Sequence, residues 1–173
     1  RAVARRLGAL LRELADRARD GELDPPAVAD TLDRLLQVDV GDVGLDAAPV
    51  VDLALWAADP DLLERVGIWL GGDAGRQLCE LAVAEHGVPT FAVVDLETGG
   101  TDTVQELAVV RVRAGRVLGR LAVAAPVDPT RVSTWLAGCV VVAHNGDEHD
   151  VPRLERLGVA VPEDRVDTLR WAW

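Results

Sequence analysis

The chain lacks whole classes of residue. Its 173 residues include no Met, no Tyr, one Phe and two Cys, and all 18 of its Lys or Arg positions are Arg. We interpret this bias as that of a GC-rich bacterial genome and attach no function to it. The two cysteines are isolated, which argues against a disulfide framework or a structural zinc site. No apolar run approaches the length of a membrane span, so we expect a cytoplasmic protein without membrane contact.

Basic charge is also scarce. The chain carries 29 acidic residues against 18 basic ones, a formal net charge of −11. An acidic surface repels nucleic acid unless metal ions intervene. The charge therefore argues against unaided nucleic-acid binding, but it is compatible with a site that holds phosphate through bound cations.

The apolar pattern changes near Pro89. Before it, apolar residues recur at helical spacing, and Asp24-Pro25 and Asp59-Pro60 are helix-start signals. We predict about five short helices forming a helical domain of unknown role over 1–88. A second domain, 89–173, follows.

The second half reads as β-β-β-α-β-α-β. This order predicts an α/β fold, a mixed sheet with flanking helices, preceded by the small all-α domain. Trp56, Trp69 and Trp135 are predicted core residues. The predicted strands are Phe91–Leu96, Glu106–Val112, Val117–Ala124, Cys139–Ala143 and Arg165–Thr168, and the predicted helices are Thr130–Leu136 and Val151–Leu157.

Two carboxylates follow the first of these strands. Asp95 and Glu97 are two residues apart, so an extended backbone points both to one face. Neighbouring carboxylates repel each other unless a cation or a proton intervenes. Mg²⁺ and Mn²⁺ prefer such oxygen ligands. Gly99 and Gly100 after them would let a substrate approach the backbone.

A third carboxylate follows the fourth strand. The apolar run Val140–Ala143 leads into His144 and Asn145, and Asp150 opens a helix with an apolar stripe. Strands that end at one edge of the sheet would bring Asp150 to Asp95 and Glu97, which makes most of a two-metal site. Asp147 remains a rival to Asp150. A zinc site built from His144, His149 and Asp150 is disfavoured because no Cys is nearby.

These residues resemble the DEDD (DnaQ-like) 3′–5′ exonucleases, in particular the branch of proofreading epsilon subunits and RNase T. Asp95–Gly100, DLETGG, resembles the first motif, D-x-E-T-T-G. The stretch V-A-H-N-x-x-x-x-D-x-P-x-L from Val142 resembles the second, H-N-x-x-F-D, and Val166-Asp-Thr-Leu resembles the D-T-L strand that follows. The likeness covers about half of the chain, residues 90–170.

The resemblance implies an RNase H-like fold and hydrolysis of phosphodiester bonds at DNA or RNA 3′ ends with two Mg²⁺ or Mn²⁺ ions. Asp95, Glu97 and Asp150 would be the catalytic metal ligands. Thr98, Gly99, His144 and Asn145 would face the substrate, although His144 also suits a structural role in its loop. The sequence does not distinguish DNA from RNA.

The chain departs from the family pattern in four places. Gly99 replaces a Thr, His149 stands where an aromatic residue is usual, His144 and Asp150 are one residue further apart than is common, and the first two motifs are close together. No third motif, with its fourth carboxylate and general base, occurs before Trp173. We therefore expect little activity from this piece alone, and further domains or a polymerase or helicase partner. The alternative is a catalytically inactive exonuclease-like module that binds nucleic acid or recruits partners.

Overall fold

The computed structural model describes residues 2–37, 45–100 and 103–171. Helices occupy the first half, in agreement with the sequence pattern. Their bounds are α1 Ala2–Arg19, α2 Pro25–Leu36, α3 Ala47–Ala57, α4 Pro60–Leu70 and α5 Gly72–His86.

Aspartate caps fix where most of these helices begin. The first backbone N–H groups of a helix have no partner inside it, and an aspartate just before the helix accepts from them. The side chains of Asp24, Asp46 and Asp59 do this for α2, α3 and α4. Asp128 does the same for α6, Pro129–Leu136, in the second half of the chain. A proline follows three of the four caps, as expected at the first helical position.

The helical half has its own apolar core. Leu32, Val50, Leu62 and Val66 are completely buried there. Trp69 packs partly against this core, but Trp56 is 40% exposed, so its prediction as a core residue is wrong. The reason is that α3 is apolar on nearly every side and buries the face that carries Val50, which leaves Trp56 on the outside.

The second half forms a mixed α/β layer. The sheet has five strands in the order β3-β2-β1-β4-β5, with β2 antiparallel to β1 and β3, and β4 parallel to β1 and β5. The predicted elements agree with those observed to within one or two residues at each end. The elements are β1 Thr90–Thr98, β2 Val104–Arg113, β3 Arg116–Ala124, α6 Pro129–Leu136, β4 Val140–Ala143, α7 Asp150–Arg156 and β5 Arg165–Asp167.

The two faces of the sheet differ. On one face Val94 and Leu96 of β1 form a second apolar core with Leu136 of α6 and Leu154 of α7. Trp135 of α6 is buried in the same core, as predicted. On the opposite face, Phe91 and Val93 are 37% and 42% exposed. The alternation of a strand thus separates a packed face from an open one.

The helical half packs on the sheet half mainly through α5 and α6. The two apolar cores are separate clusters of buried residues. A domain boundary at Pro89 stays a prediction. Within the described ranges, no helix is both long enough and apolar enough to span a membrane.

Candidate metal site at the sheet edge

Asp95 and Glu97 lie on the open face of β1. Burial alternates along this strand, so that Val94 and Leu96 point into the core while the two carboxylates are exposed. The spacing of two residues therefore has the effect expected from the sequence. Both side chains stand on one face near the carboxyl end of the strand, just beyond the parallel pairing of β1 with β4 at Phe91, Ala92 and Val93.

A cleft of about 440 Å³ lies beside these carboxylates. Alanines of β2 and β3, Ala108 and Ala122 among them, line the cleft, so few side-chain atoms fill it. Glu106 of β2 also lines the cleft and stands directly opposite Glu97 in the antiparallel register. Like charges facing each other across a strand pair are destabilising. Sequence reasoning missed Glu106, although it follows once β2 is paired with β1 in the correct register.

Asp150 approaches this group from the first turn of α7. Its residue is only 5% exposed, and burial, the largest effect, raises the pKa of its carboxyl group. The negative charge of Asp95 raises this pKa further, whereas His149 and Arg153 lower it. Helix α7, which begins at Asp150, also contacts β1, which carries Asp95. A distance between these two acids that is short enough to share a metal ion stays a prediction.

The rival ligand Asp147 points to a different partner. Its carboxylate forms an ion pair with Arg170 at 3.1 Å, between Asp147 Oδ2 and Arg170 Nη2. Asp150 lies 3.5 Å from His149 Nδ1, a longer contact. The shorter ion pair of Asp147 favours Asp150 over Asp147 as the third ligand.

The loop between β4 and α7 is held by the residues that follow β5. Backbone N–H groups of Asn145, Asp147 and Leu169 all donate to the Asp167 carboxylate. Burial acts to raise the pKa of Asp167, but these three hydrogen bonds and the charge of Arg170 outweigh it and lower the pKa. His144 Nδ1 lies 3.0 Å from the Thr168 hydroxyl, which agrees with a structural role for this histidine.

Thr98 and Gly99 end β1 beside the carboxylates. The register between β1 and β2 shifts after Glu97, and the Gly99 N–H donates to the Thr103 carbonyl. A Cβ at Gly99 would lie 2.3 Å from the Gln105 amide nitrogen. Because Gln105 is exposed and flexible, this contact alone does not require a glycine at the position. A contact of Thr98 or Gly99 with substrate stays a prediction.

A second acidic group was not anticipated. Among the described residues, the one set of possible ligands whose atoms all lie within 4.8 Å of one another is Asp61, Glu64 and His86, and not Asp95, Glu97 and Asp150. The chain supplies the cations for this set itself. Arg111 Nη2 lies 2.6 Å from Glu64 Oε1, and Arg113 lies within 2.9 Å of both Glu64 and Asp61.

These arginines make the second group an ion-pair network. Two guanidinium groups already occupy the space around Glu64, so a metal ion would meet strong repulsion there. Arg111 Nη1 also donates to the Trp135 carbonyl at 2.8 Å, which ties β2 to α6 as well as to α4. The sequence contains a signal for this network, because Arg111 and Arg113 have the same alternation as the buried Leu107 and Val109.

The separation of Asp95, Glu97 and Asp150 bears on which cations fit them. A single ion needs all its ligand atoms around one point, whereas a two-ion site spreads its ligands around centres about 4 Å apart. Among the described residues, Asp95, Glu97 and Asp150 do not form a single-ion cluster, and a two-ion site stays a prediction. Hard oxygen donors of this kind suit Mg²⁺ or Mn²⁺.

Comparison with known proteins found no similar protein. No known protein family, no curated protein and no solved structure matches this chain. We therefore infer the function of this chain from its motifs and from the geometry of the site.

Proposed function

We propose that this chain carries the metal-binding core of a DEDD-type 3′–5′ exonuclease with an RNase H-like fold. The observation that carries the proposal is the contact of α7, which begins at Asp150, with β1, which carries Asp95 on its open face. Glu97 stands on the same face as Asp95 and lines the same cleft. The mixed strand order with β2 antiparallel supports an RNase H-like arrangement.

In this proposal, Asp95, Glu97 and Asp150 hold two Mg²⁺ or Mn²⁺ ions. When bound, such a pair supplies an activated water and stabilises the leaving oxygen of a phosphodiester. The chain's own contribution is to place Asp95 and Glu97 in an open cleft of about 440 Å³ that is lined partly by alanines. His144 and Asn145 border the loop that leads into Asp150 and are candidates for contact with the 3′ end.

The raised pKa of Asp150 fits a cation site. A buried carboxylate near another negative charge is held at a cost in free energy, and a divalent cation would remove most of that cost. Perturbed carboxylates of this type are concentrated at functional sites.

The test combines metal binding with recognition of the 3′ end. We expect calorimetry to show Mn²⁺ binding to the wild-type chain that Asp95→Asn and Asp150→Asn each weaken by more than about 10-fold. Asp164→Asn, at an exposed carboxylate just before β5, is the matched control and should bind Mn²⁺ like the wild type. Fluorescence anisotropy should then show Mn²⁺-dependent binding of a single strand with a free 3′-hydroxyl over one with a 3′-phosphate, with DNA and RNA in separate arms.

The alternative function is an inactive exonuclease-like module. It is favoured by the absence of a tight cluster at Asp95, Glu97 and Asp150 among the described residues. Binding of the oligonucleotide that is equal with Mn²⁺ and with chelator would support this module. A wild-type chain that binds no Mn²⁺ would refute the nuclease proposal.

A further inference from the structure

Asp167, the last residue of β5, uses its side chain to hold a different part of the chain. Its Oδ1 accepts from the N–H groups of Asn145 and Leu169, each at 2.9 Å, and its Oδ2 accepts from the N–H of Asp147 at 3.3 Å. The residue is 8% exposed. A buried carboxylate with three backbone donors is a fixed point around which the loop from His144 to His149 is organised.

The two neighbours of this carboxylate act on the same loop. The Thr168 hydroxyl contacts His144 Nδ1 at 3.0 Å and the Ala143 carbonyl at 3.4 Å. Arg170 pairs with Asp147 at 3.1 Å. The short segment 167–170 therefore contacts both ends of the turn that follows β4, before the chain reaches Asp150.

The loop needs such support because its backbone is unusual. Asn145 has a φ of 57°, in the left-handed region that residues other than glycine rarely adopt. A conformation of this kind persists only where surrounding contacts impose it. The N–H of Asn145 is itself one of the donors to Asp167, so the contact acts at the strained residue.

The loop ends where the candidate site begins. The N–H of His149 donates to the Asn145 carbonyl, and the N–H of Val151 donates to the Gly146 carbonyl, both at 2.9 Å. These bonds connect the turn at Asn145 and Gly146 directly to the first turn of α7, which carries Asp150. A displacement of Asn145 would therefore move Asp150 relative to Asp95.

We propose that Asp167 is a positioning residue of the metal site: by accepting the backbone N–H groups of Asn145 and Asp147, it fixes the loop that presents Asp150 to Asp95. This inference rests on the proposed function. It assigns Asp167 no contact with metal or substrate, since its carboxylate oxygens are occupied by backbone donors.

The two oxygens of Asp167 permit a sharp test. Asparagine at this position retains one carbonyl oxygen, which can keep both of the 2.9 Å bonds made by Oδ1 and lose only the longer bond at Oδ2. Alanine loses all three. If the role is to accept N–H groups, Asp167→Asn should resemble the wild type and Asp167→Ala should not.

The experiment measures Mn²⁺ affinity by calorimetry for the full chain and three variants, each first checked for cooperative thermal unfolding. Changes beside a metal ligand typically weaken metal binding about 10- to 100-fold, so we expect at least about 10-fold for Asp167→Ala and less than about 3-fold for Asp167→Asn. Asp164→Ala, an exposed carboxylate just before β5, is the matched control and should bind like the wild type. If Asp167→Ala does not fold, Thr168→Val replaces it, with the same expected direction.

Amide hydrogen exchange gives a readout that does not depend on metal. The amides of Asn145 and Asp147 should exchange faster in Asp167→Ala, whereas Asp167→Asn should speed up only Asp147.

Two results would overturn the positioning role: unchanged exchange at Asn145 in Asp167→Ala, or equal Mn²⁺ affinity in a folded Asp167→Ala and the wild type. A wild-type chain without Mn²⁺ binding would instead overturn the proposed function, and the exchange data would still decide whether Asp167 holds the loop.

Discussion

Two buried carboxylates in this molecule have opposite electrostatic surroundings. Glu64 of α4 is buried, and Arg111 and Arg113 of β2 reach it at 2.6 and 2.9 Å. Asp150 is buried to a similar degree, but its ion pair is a 3.5 Å contact with His149, and the charge of Asp95 acts against it. Glu64 is thus flanked by two arginine counter-charges, whereas Asp150 has the favourable influence of His149 and Arg153 and the opposing charge of Asp95.

This difference separates structure from function within one chain. A buried carboxylate with two guanidinium groups serves to connect elements, here α4, β2 and α6. A buried carboxylate close to a second carboxylate is a candidate for a ligand site. Removal of one charge at a time tests this contrast.

The largest expected effect follows from Glu64→Gln. Loss of this charge leaves Arg111 and Arg113 buried beside a neutral amide, and breaking a buried pair in this way costs about 3–5 kcal/mol. Urea unfolding measures the change in free energy of unfolding. Glu155→Gln, at the exposed 3.9 Å contact with Arg165, is the control. A loss below about 1 kcal/mol for Glu64→Gln, within the range of surface pairs, would remove the distinction drawn here.

The next effect is on the other acidic group. Asp150→Asn removes a buried charge that Asp95 repels, so the metal-free protein should be as stable as the wild type or more stable. Mn²⁺ affinity should nevertheless fall by more than about 10-fold. Thermal unfolding with and without Mn²⁺ measures both. A variant that is clearly less stable without metal would place Asp150 among the structural carboxylates, with Glu64.

A third prediction concerns pH. Metal binds the ionised carboxylate, and the raised pKa of Asp150 means that protons compete for it at a higher pH than for an ordinary aspartate near 3.9. Mn²⁺ affinity should therefore begin to fall at a pH above the usual aspartate range as the solution is acidified. In Asp95→Gln, the pH dependence of Mn²⁺ affinity should lie at lower pH than in the wild type. The reason is that the charge of Asp95, which raises the pKa of Asp150, is gone.

The pH dependence that Asp150 gives to the stability of the metal-free protein has the opposite sign to the pH dependence of Mn²⁺ affinity. A raised pKa in the folded state lowers stability as pH rises from the unfolded pKa through the folded one. Asp167 contributes in the opposite direction. Its lowered pKa gives stability that is present above the unfolded value near 3.9 and is lost as pH falls through the folded pKa. Calorimetric titration and urea unfolding between about pH 3 and about pH 7 separate the contributions of Asp150 and Asp167.

The smallest expected effect lies at the surface. Arg165→Gln removes an exposed ion pair with Glu155 at 3.9 Å, and such pairs contribute about 0–1 kcal/mol. Urea unfolding should barely distinguish this variant from the wild type. A change in the free energy of unfolding larger than about 1 kcal/mol would show that this exposed ion pair stabilises the protein like a buried one.

Most of the fold is predictable from local pattern. The Asp-Pro signals at Asp24 and Asp59 predict the starts of α2 and α4, and alternation along Thr90–Thr98 predicts which face of β1 carries Asp95. These signals are local because capping bonds and strand alternation involve residues close together in sequence. The position of Asp150 at the start of a helix was also inferable, whereas its approach to Asp95 stays a prediction.

Contacts between distant residues were beyond such reasoning. Glu106 meets Glu97 only through the register of two strands, and Glu64 meets Arg113 across 49 positions of sequence. Trp56 was expected in the core because of its size, yet α3 is apolar on more sides than the molecule can bury. In each case the packing of whole elements decides, and that information is not contained in a short window of sequence.

The bond between Glu64 and Arg113 also has a consequence for the newborn chain. The ribosome makes α4 first, and β2 appears 49 residues later, which at roughly 5–20 residues per second is a delay of roughly 2–10 s. During that interval Glu64 has neither of its arginines, although the apolar core of the helical half is already complete in sequence. We therefore expect the surroundings of Glu64 to reach their final form only after translation has delivered part of the sheet.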